Sequence, residues 1–206
     1  LVNSAGLTLG MRDELYDDLQ VIDHSAPFKG LLSLPTNPDG FIPPNALEGA
    51  LAEIRHRKTL LGIEEYELDV FLAIWVTIKS LYPSAWNRDS RLLNKVPMYA
   101  LTVFVAEGLK GMLKASEELD LLDEEELRSS VSEVLKHIPL RFWTMQWEGK
   151  ELDTSLGRRL VLEALDFIDA NGRRNRPWYQ DVGIIDTSKL SPAELSPKKS
   201  GVVAKK

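Results

Sequence analysis

Two short strings near the C-terminal end, "GRR" at 157–159 and "GRRNR" at 172–176, bring five arginines close together: Arg158, Arg159, Arg173, Arg174 and Arg176. The guanidinium group is always charged, and its planar fork matches phosphate geometry, so arginine clusters are the side chains expected to hold a nucleic-acid backbone. Arg158 and Arg159 fall in the first turn of a helix expected over 154–171. Positive charge opposes the macrodipole there, which points to an anionic partner for them. Arg173, Arg174 and Arg176 follow the end of that helix, where cations are favoured even without a partner. A third basic string, "RHRK" at 55–58, closes an earlier expected helix.

Other chemistries find less support. His24, His56 and His137 are far apart, none has a histidine or carboxylate at i+3 or i+4 in a recognised ligand spacing, and the chain contains no cysteine. Neither a metal site nor a cofactor is therefore expected. No phosphate-binding loop, nucleophile elbow or dinucleotide fingerprint occurs, so no catalytic residue is assigned. The acidic strings "DELYDD" and "DEEEL" could pair carboxylates for acid–base work, but their positions suit helix first turns and solvated faces. Phe142, Trp143 and Trp147, interleaved with Arg141 and Lys150, could stack bases. The competing reading packs them onto the protein body. Trp75 reads as core, and Trp86, just beyond a helix stop, as a plug over the open helix end.

The elements that must position these residues are mostly helical. Apolar residues recur at helical spacing over roughly 4–20, 44–61, 64–82, 97–116, 124–138 and 154–171. The 64–82 segment is apolar over so wide a face that it is expected at the centre, against 97–116, 124–138 and 154–171. Asp123 is expected to cap one helix, and Asp153 or Thr154 another. Gly108 and Gly111 suggest close helix packing, and Gly172 a left-handed helix stop. "FKGLLSLP" and "GFIP" flank the turn "TNPDG" as a hairpin would, with Gly40 taking a positive φ. The expected fold is mainly α: an irregular bundle of about six helices with a small β-hairpin at the edge. One helical domain is expected over 1–176, with a mostly disordered tail over 177–206.

Charge is distributed unevenly. Residues 1–157 carry 15 basic and 25 acidic side chains, net −10, whereas 158–206 carry 10 and 6, net +4. An acidic body with a basic end suggests an anionic partner at that end. No run approaches the ~18 consecutive apolar residues of a spanning helix, so no membrane partner is expected. The absence of cysteine and of a basic, signal-like start suits a cytoplasmic protein. The first residue, Leu1, suggests a fragment of a longer chain.

The order "APFKGLLSLP…GFIPPNALEGALAEI", then "FLAIWVTIKSLYPSAWN", then "SRLLNKVPMYAL" resembles the C-terminal helical half of DGQHR-domain proteins. That family includes regulators associated with DNA phosphorothioate modification. The namesake Asp-Gly-Gln-His-Arg string does not occur in this sequence; in the family it belongs to an N-terminal α/β half, which would lie upstream of Leu1. The resemblance covers residues 20–170 and carries over no residue roles. It implies a prokaryotic or phage protein tied to DNA modification or defence. The expected function is a non-catalytic, DNA-associated accessory or regulatory domain, contacting DNA through the basic C-terminal end and supporting an upstream domain of the same chain. The alternatives are the helical part of a nucleic-acid-acting enzyme with its chemistry upstream, or a protein-interaction module whose acidic face binds a basic partner.

Overall fold

A computed structural model describes residues 9–116, 118–148 and 152–192, with the side chains of 9–15 excepted. Among the described residues there are eight α-helices: α1 (Leu9–His24), α2 (Pro44–His56), α3 (Lys58–Leu61), α4 (Glu67–Leu81), α5 (Lys95–Ala115), α6 (Glu124–Leu135), α7 (Leu140–Thr144) and α8 (Ser155–Arg173). The mainly helical expectation holds, and six of these helices are twelve residues or longer.

The caps explain several boundaries. The Asp123 carboxylate accepts the Glu126 N–H at 2.9 Å, and Glu126 in turn accepts the Asp120 N–H at 2.8 Å. Thr154 caps α8 by accepting from the Gly157 N–H. The segment read as one helix over 44–61 breaks at Arg57, and Gly62 then ends α3 in the left-handed region. Glu65, at φ 70°, delays the next helix until Glu67.

The hub is α5 rather than α4. It packs against α2, α3, α6 and α8, while α4 packs mainly against α2 and α6. By length and composition α5 could cross a membrane, yet in this fold Met98, Ala100, Leu101, Val105, Ala106 and Leu109 are all in the core. Close approach is possible because a Cβ on Gly108 would stand 2.7 Å from the Val134 side chain of α6. Gly111 has no such reason, since a Cβ there meets nothing within 4 Å.

The expected β-hairpin is absent among the described residues. Residues 31–42 form a loop with two isolated bridges, a parallel one between Leu32 and Ile42 and an antiparallel one between Leu34 and Asn37. The Asn37 amide donates to the carbonyls of Gly30 and Leu32, both at 3.0 Å, so a side chain satisfies what a strand ladder would have paired. Pro35, Pro38, Pro43 and Pro44 supply no N–H to extend a ladder. Gly40 does not take a positive φ; it is needed because a Cβ would lie 1.9 Å from the Leu32 carbonyl oxygen. Leu32, Leu34 and Ile42 reach the core from this loop.

The tryptophan corner is a plug. A short 3-10 turn, Pro83–Ala85, follows α4, and half-buried Trp86 packs beside Trp75 and Phe28, with ring centroids 6.1 and 5.7 Å away. Phe142, Trp143 and Trp147 are buried against one another and Tyr82, so these rings are closed to bases. The Tyr82 hydroxyl donates to the Ile138 carbonyl at 2.9 Å, tying the end of α4 to the end of α6.

Packing against the body also continues beyond residue 176, into the first part of the stretch expected as a mostly disordered tail. Val182, Ile184, Ile185 and Leu190 are buried, and the Glu148 N–H donates to the Ile184 carbonyl at 2.8 Å. Four apolar side chains in a polar stretch suffice to fasten it as a strap, because the bundle offers a matching apolar surface. The expected start of the first helix at residue 4 and the expected tail over 193–206 lie outside the described residues.

Candidate nucleic-acid interface

The "RHRK" string is neutralised within the fold. Arg55 lies 2.7 Å from Asp18 of α1, Arg57 pairs with Glu53 and with Glu107 of α5, and Lys58 lies 3.0 Å from Glu67 of α4. Hydrogen bonds from Lys110 and Arg57 hold the Glu107 carboxyl below the usual carboxylate range. These cations join helices.

The five C-terminal arginines are positioned by α8. Its buried face is Gly157, Val161, Ala164, Leu165, Ile168 and Asn171, which turns the charged positions outward. Arg158 lies over the Tyr99 ring of α5, its guanidinium carbon 4.3 Å from the centroid. Burial, and then Glu53, push the Tyr99 phenol above its ordinary value. Arg158 thus belongs to a cluster of α2, α5 and α8 side chains. Arg159 is largely exposed, with a loose 3.6 Å pair to Glu163 one turn on.

The other three arginines stand at the far end of the helix, about 22 Å along its axis from Arg158. Arg173 pairs with Asp169 at 2.7 Å. The chain then leaves the helix through Asn175 at φ 54°, and the Asn171 amide holds the exit by donating to the Trp178 and Gln180 carbonyls. Asn175, not Gly172, is therefore the left-handed residue. Gly172 is required for another reason: a Cβ on it would lie 2.3 Å from the His137 ring. This contact sets the end of α6, with Lys136 and His137, against the end of α8. Glu133 joins the same corner, its carboxyl held below the usual range chiefly by Lys136, with smaller contributions from His137 and Arg173.

The structure therefore divides the arginines rather than uniting them. Between the two groups, α8 carries Glu163, Asp166 and Asp169. Burial, and the neighbouring Asp169 and Glu163, push the Asp166 carboxyl above its ordinary value. At the C-terminal corner, Arg174 and Arg176 are exposed, and neither side chain has an ion-pair partner among the described residues. Lys136 and His137 reach the end of α8 only through the fold, by the contact of His137 with Gly172; the sequence signal was the basic pair in "LKHIP" at a helix end.

Among the described residues no group of three or more histidine, aspartate or glutamate side chains is arranged to hold a metal ion. A groove between α4 and α6 has a volume of about 200 Å³, below the ~300–1,000 Å³ usual for drug-sized ligands. Comparison with known proteins gives no matching family model, no similar curated protein and no similar solved structure.

Proposed function

We propose that this chain is a non-catalytic, DNA-associated accessory domain that grips the phosphate backbone with the C-terminal corner of α8. The observation that carries this reading is the pair Arg174 and Arg176, exposed just past the end of α8 and without an ion-pair partner among the described residues. Arg159 sits in an exposed i,i+4 pair with Glu163, whereas Arg173 pairs with the half-buried Asp169. An exposed pair contributes little, so Arg159 can exchange its carboxylate for a phosphate at small cost. Arg158, stacked on Tyr99, positions α8 instead. Within "DEEEL", Asp123 and Glu126 serve as helix-capping groups. A role in DNA modification or defence rests on the resemblance to DGQHR-domain proteins, and so does an upstream domain as a further partner.

The test is binding of labelled duplex and single-stranded DNA across a salt series. Affinity should fall as salt rises, and Arg174→Ala/Arg176→Ala should flatten the log–log slope by about 0.9 for each lost duplex phosphate contact. Arg158→Ala should leave the slope unchanged while lowering thermal stability. No binding at low salt, or a slope indifferent to the double variant, would overturn the proposal.

A further inference from the structure

We propose that the groove between α4 and α6 is a docking site for a cationic amphipathic helix of a partner protein. It is a separate surface from the α8 corner and does not depend on DNA binding.

The physical oddity is α4 itself. Its inner face, Val70, Phe71, Ile74, Trp75 and Ile78, is buried, as a core helix requires. Its outer face is also apolar: Leu68, Leu72 and Val76 follow one another at i, i+4 and i+8, with Ala73 alongside, and all four are only half-buried. A helix apolar on all sides is normally covered on all sides. Here Leu72, Ala73 and Val76 form the floor of the groove, with Thr77 beside them and Glu124 and Arg128 of α6 as its rim. The Thr77 hydroxyl is satisfied by the Ala73 carbonyl at 3.0 Å, so the floor asks for apolar contact rather than a hydrogen bond.

The sign of the partner follows from helix direction. Tyr82, at the end of α4, reaches the carbonyls of Leu135 and Ile138 at the end of α6, whereas Leu72 and Ala73 lie beside Glu124 at its start. The two helices are therefore parallel, and their acidic first turns meet at one end of the groove. Glu67 is engaged by Lys58 and Glu126 by the Asp120 N–H. Asp69, Glu124 and Glu125 remain exposed in these two first turns. Arg128, 3.2 Å from Glu124 on the rim, offsets that one charge and leaves the end where the two first turns meet with an acidic excess. An apolar floor with an acidic mouth matches a helix that presents aliphatic anchors at i and i+4 and lysine or arginine beside them. The −10 charge of residues 1–157 would favour encounter with such a partner.

Fluorescence anisotropy with the full chain tests this directly. The probe is a labelled synthetic helix with leucines at i and i+4 and lysines on its flanks, compared with the same peptide carrying glutamates for lysines. The lysine peptide should bind and the glutamate peptide should not. Val76→Lys, which blocks the floor, should weaken binding about tenfold, or ~1.4 kcal/mol. Asp69→Lys/Glu125→Lys alters only exposed positions and preserves a folded reference; it should weaken binding by a similar factor and flatten its salt dependence. Circular dichroism of each variant checks folding. Three outcomes would overturn the proposal: no binding of the lysine peptide, binding indifferent to the exposed double variant, or self-association of the chain that Val76→Lys abolishes, which would make a second copy the occupant.

Discussion

At the scale of single residues, position in the fold decides what a side chain does, and Tyr82 makes this measurable. Its hydroxyl is buried and donates to the Ile138 carbonyl, and burial pushes the phenol well above its ordinary value. A folded-state value above the unfolded one stabilises at low pH and loses that contribution as pH rises. The unfolded tyrosine ionises near pH 10, while the folded one keeps its proton. Stability should therefore fall above about pH 10, and Tyr82→Phe should make that fall shallower in urea unfolding at pH 9 to 12. At neutral pH the same variant should lose about 1–2 kcal/mol, because the Ile138 carbonyl is left unpaired. A slope unchanged by the substitution would show that other tyrosines govern it. Gly172 and Gly40 illustrate the same dependence on context. Each looks like a residue chosen for backbone freedom, and each is required by a neighbour that a methyl group would strike.

Helices show the same division within one element. Gly108 and Gly111 are three residues apart in α5, with equal intrinsic cost. Gly108 faces Val134 so closely that a Cβ would overlap it, whereas Gly111 faces open space. Gly111→Ala should raise stability by up to about 1 kcal/mol through helix propensity alone. Gly108→Ala should lower it by about 1–3 kcal/mol, since a stiff β-branched side chain must yield. Thermal melts of the two variants should shift in opposite directions; equal shifts would mean that the α5–α6 contact is looser than described. In α8, Asp166 has its carboxyl pushed up by burial and by Asp169 and Glu163. A protonated carboxyl suits this site better than an ionised one, so its contribution to stability declines as pH rises through the folded value. Asp166→Asn should stabilise the protein at pH 7 and lose that advantage at about pH 3, below the ordinary aspartate value. Chemical denaturation at the two pH values measures this. The variant should also bind DNA more tightly at low salt, because it removes a charge that repels phosphate.

Over the whole molecule, charge is polarised by helix direction. Acids stabilise helix starts and bases helix ends, so every helix carries a weak sign preference along its length. In an antiparallel bundle these preferences would mix at each end. Here α4 and α6 run parallel and gather their acids at one end, while the end of α6 meets the end of α8 beside Arg173, Arg174 and Arg176. The result is an acidic mouth on one helix pair and a basic corner on another. Two proposals with opposite partners therefore belong to different places on one body, and a variant at either should leave binding at the other unaltered.

The mainly helical class was legible in the sequence, because 3.6-residue periodicity and capping chemistry are local. Asp123 and Thr154 cap as their strings suggest, and Trp75 and Trp86 pack as an apolar helix and its proline stop imply. Local chemistry could not reveal which helix is the hub, since α4 and α5 are both broadly apolar and only their neighbours distinguish them. Nor could it show that Asn37 replaces a hairpin ladder, or that an apolar handful in 182–190 finds a surface to cover. The arginines were visible as types, but their partners come from elsewhere: Tyr99 for Arg158 from α5, and Lys136 and His137 beside Arg173 from α6. Sequence determined which groups carry charge and which segments coil, because those depend on neighbours within a turn or two. Tertiary structure decided which charges are neutralised and which face solvent, because pairing is a matter of distances between segments far apart along the chain.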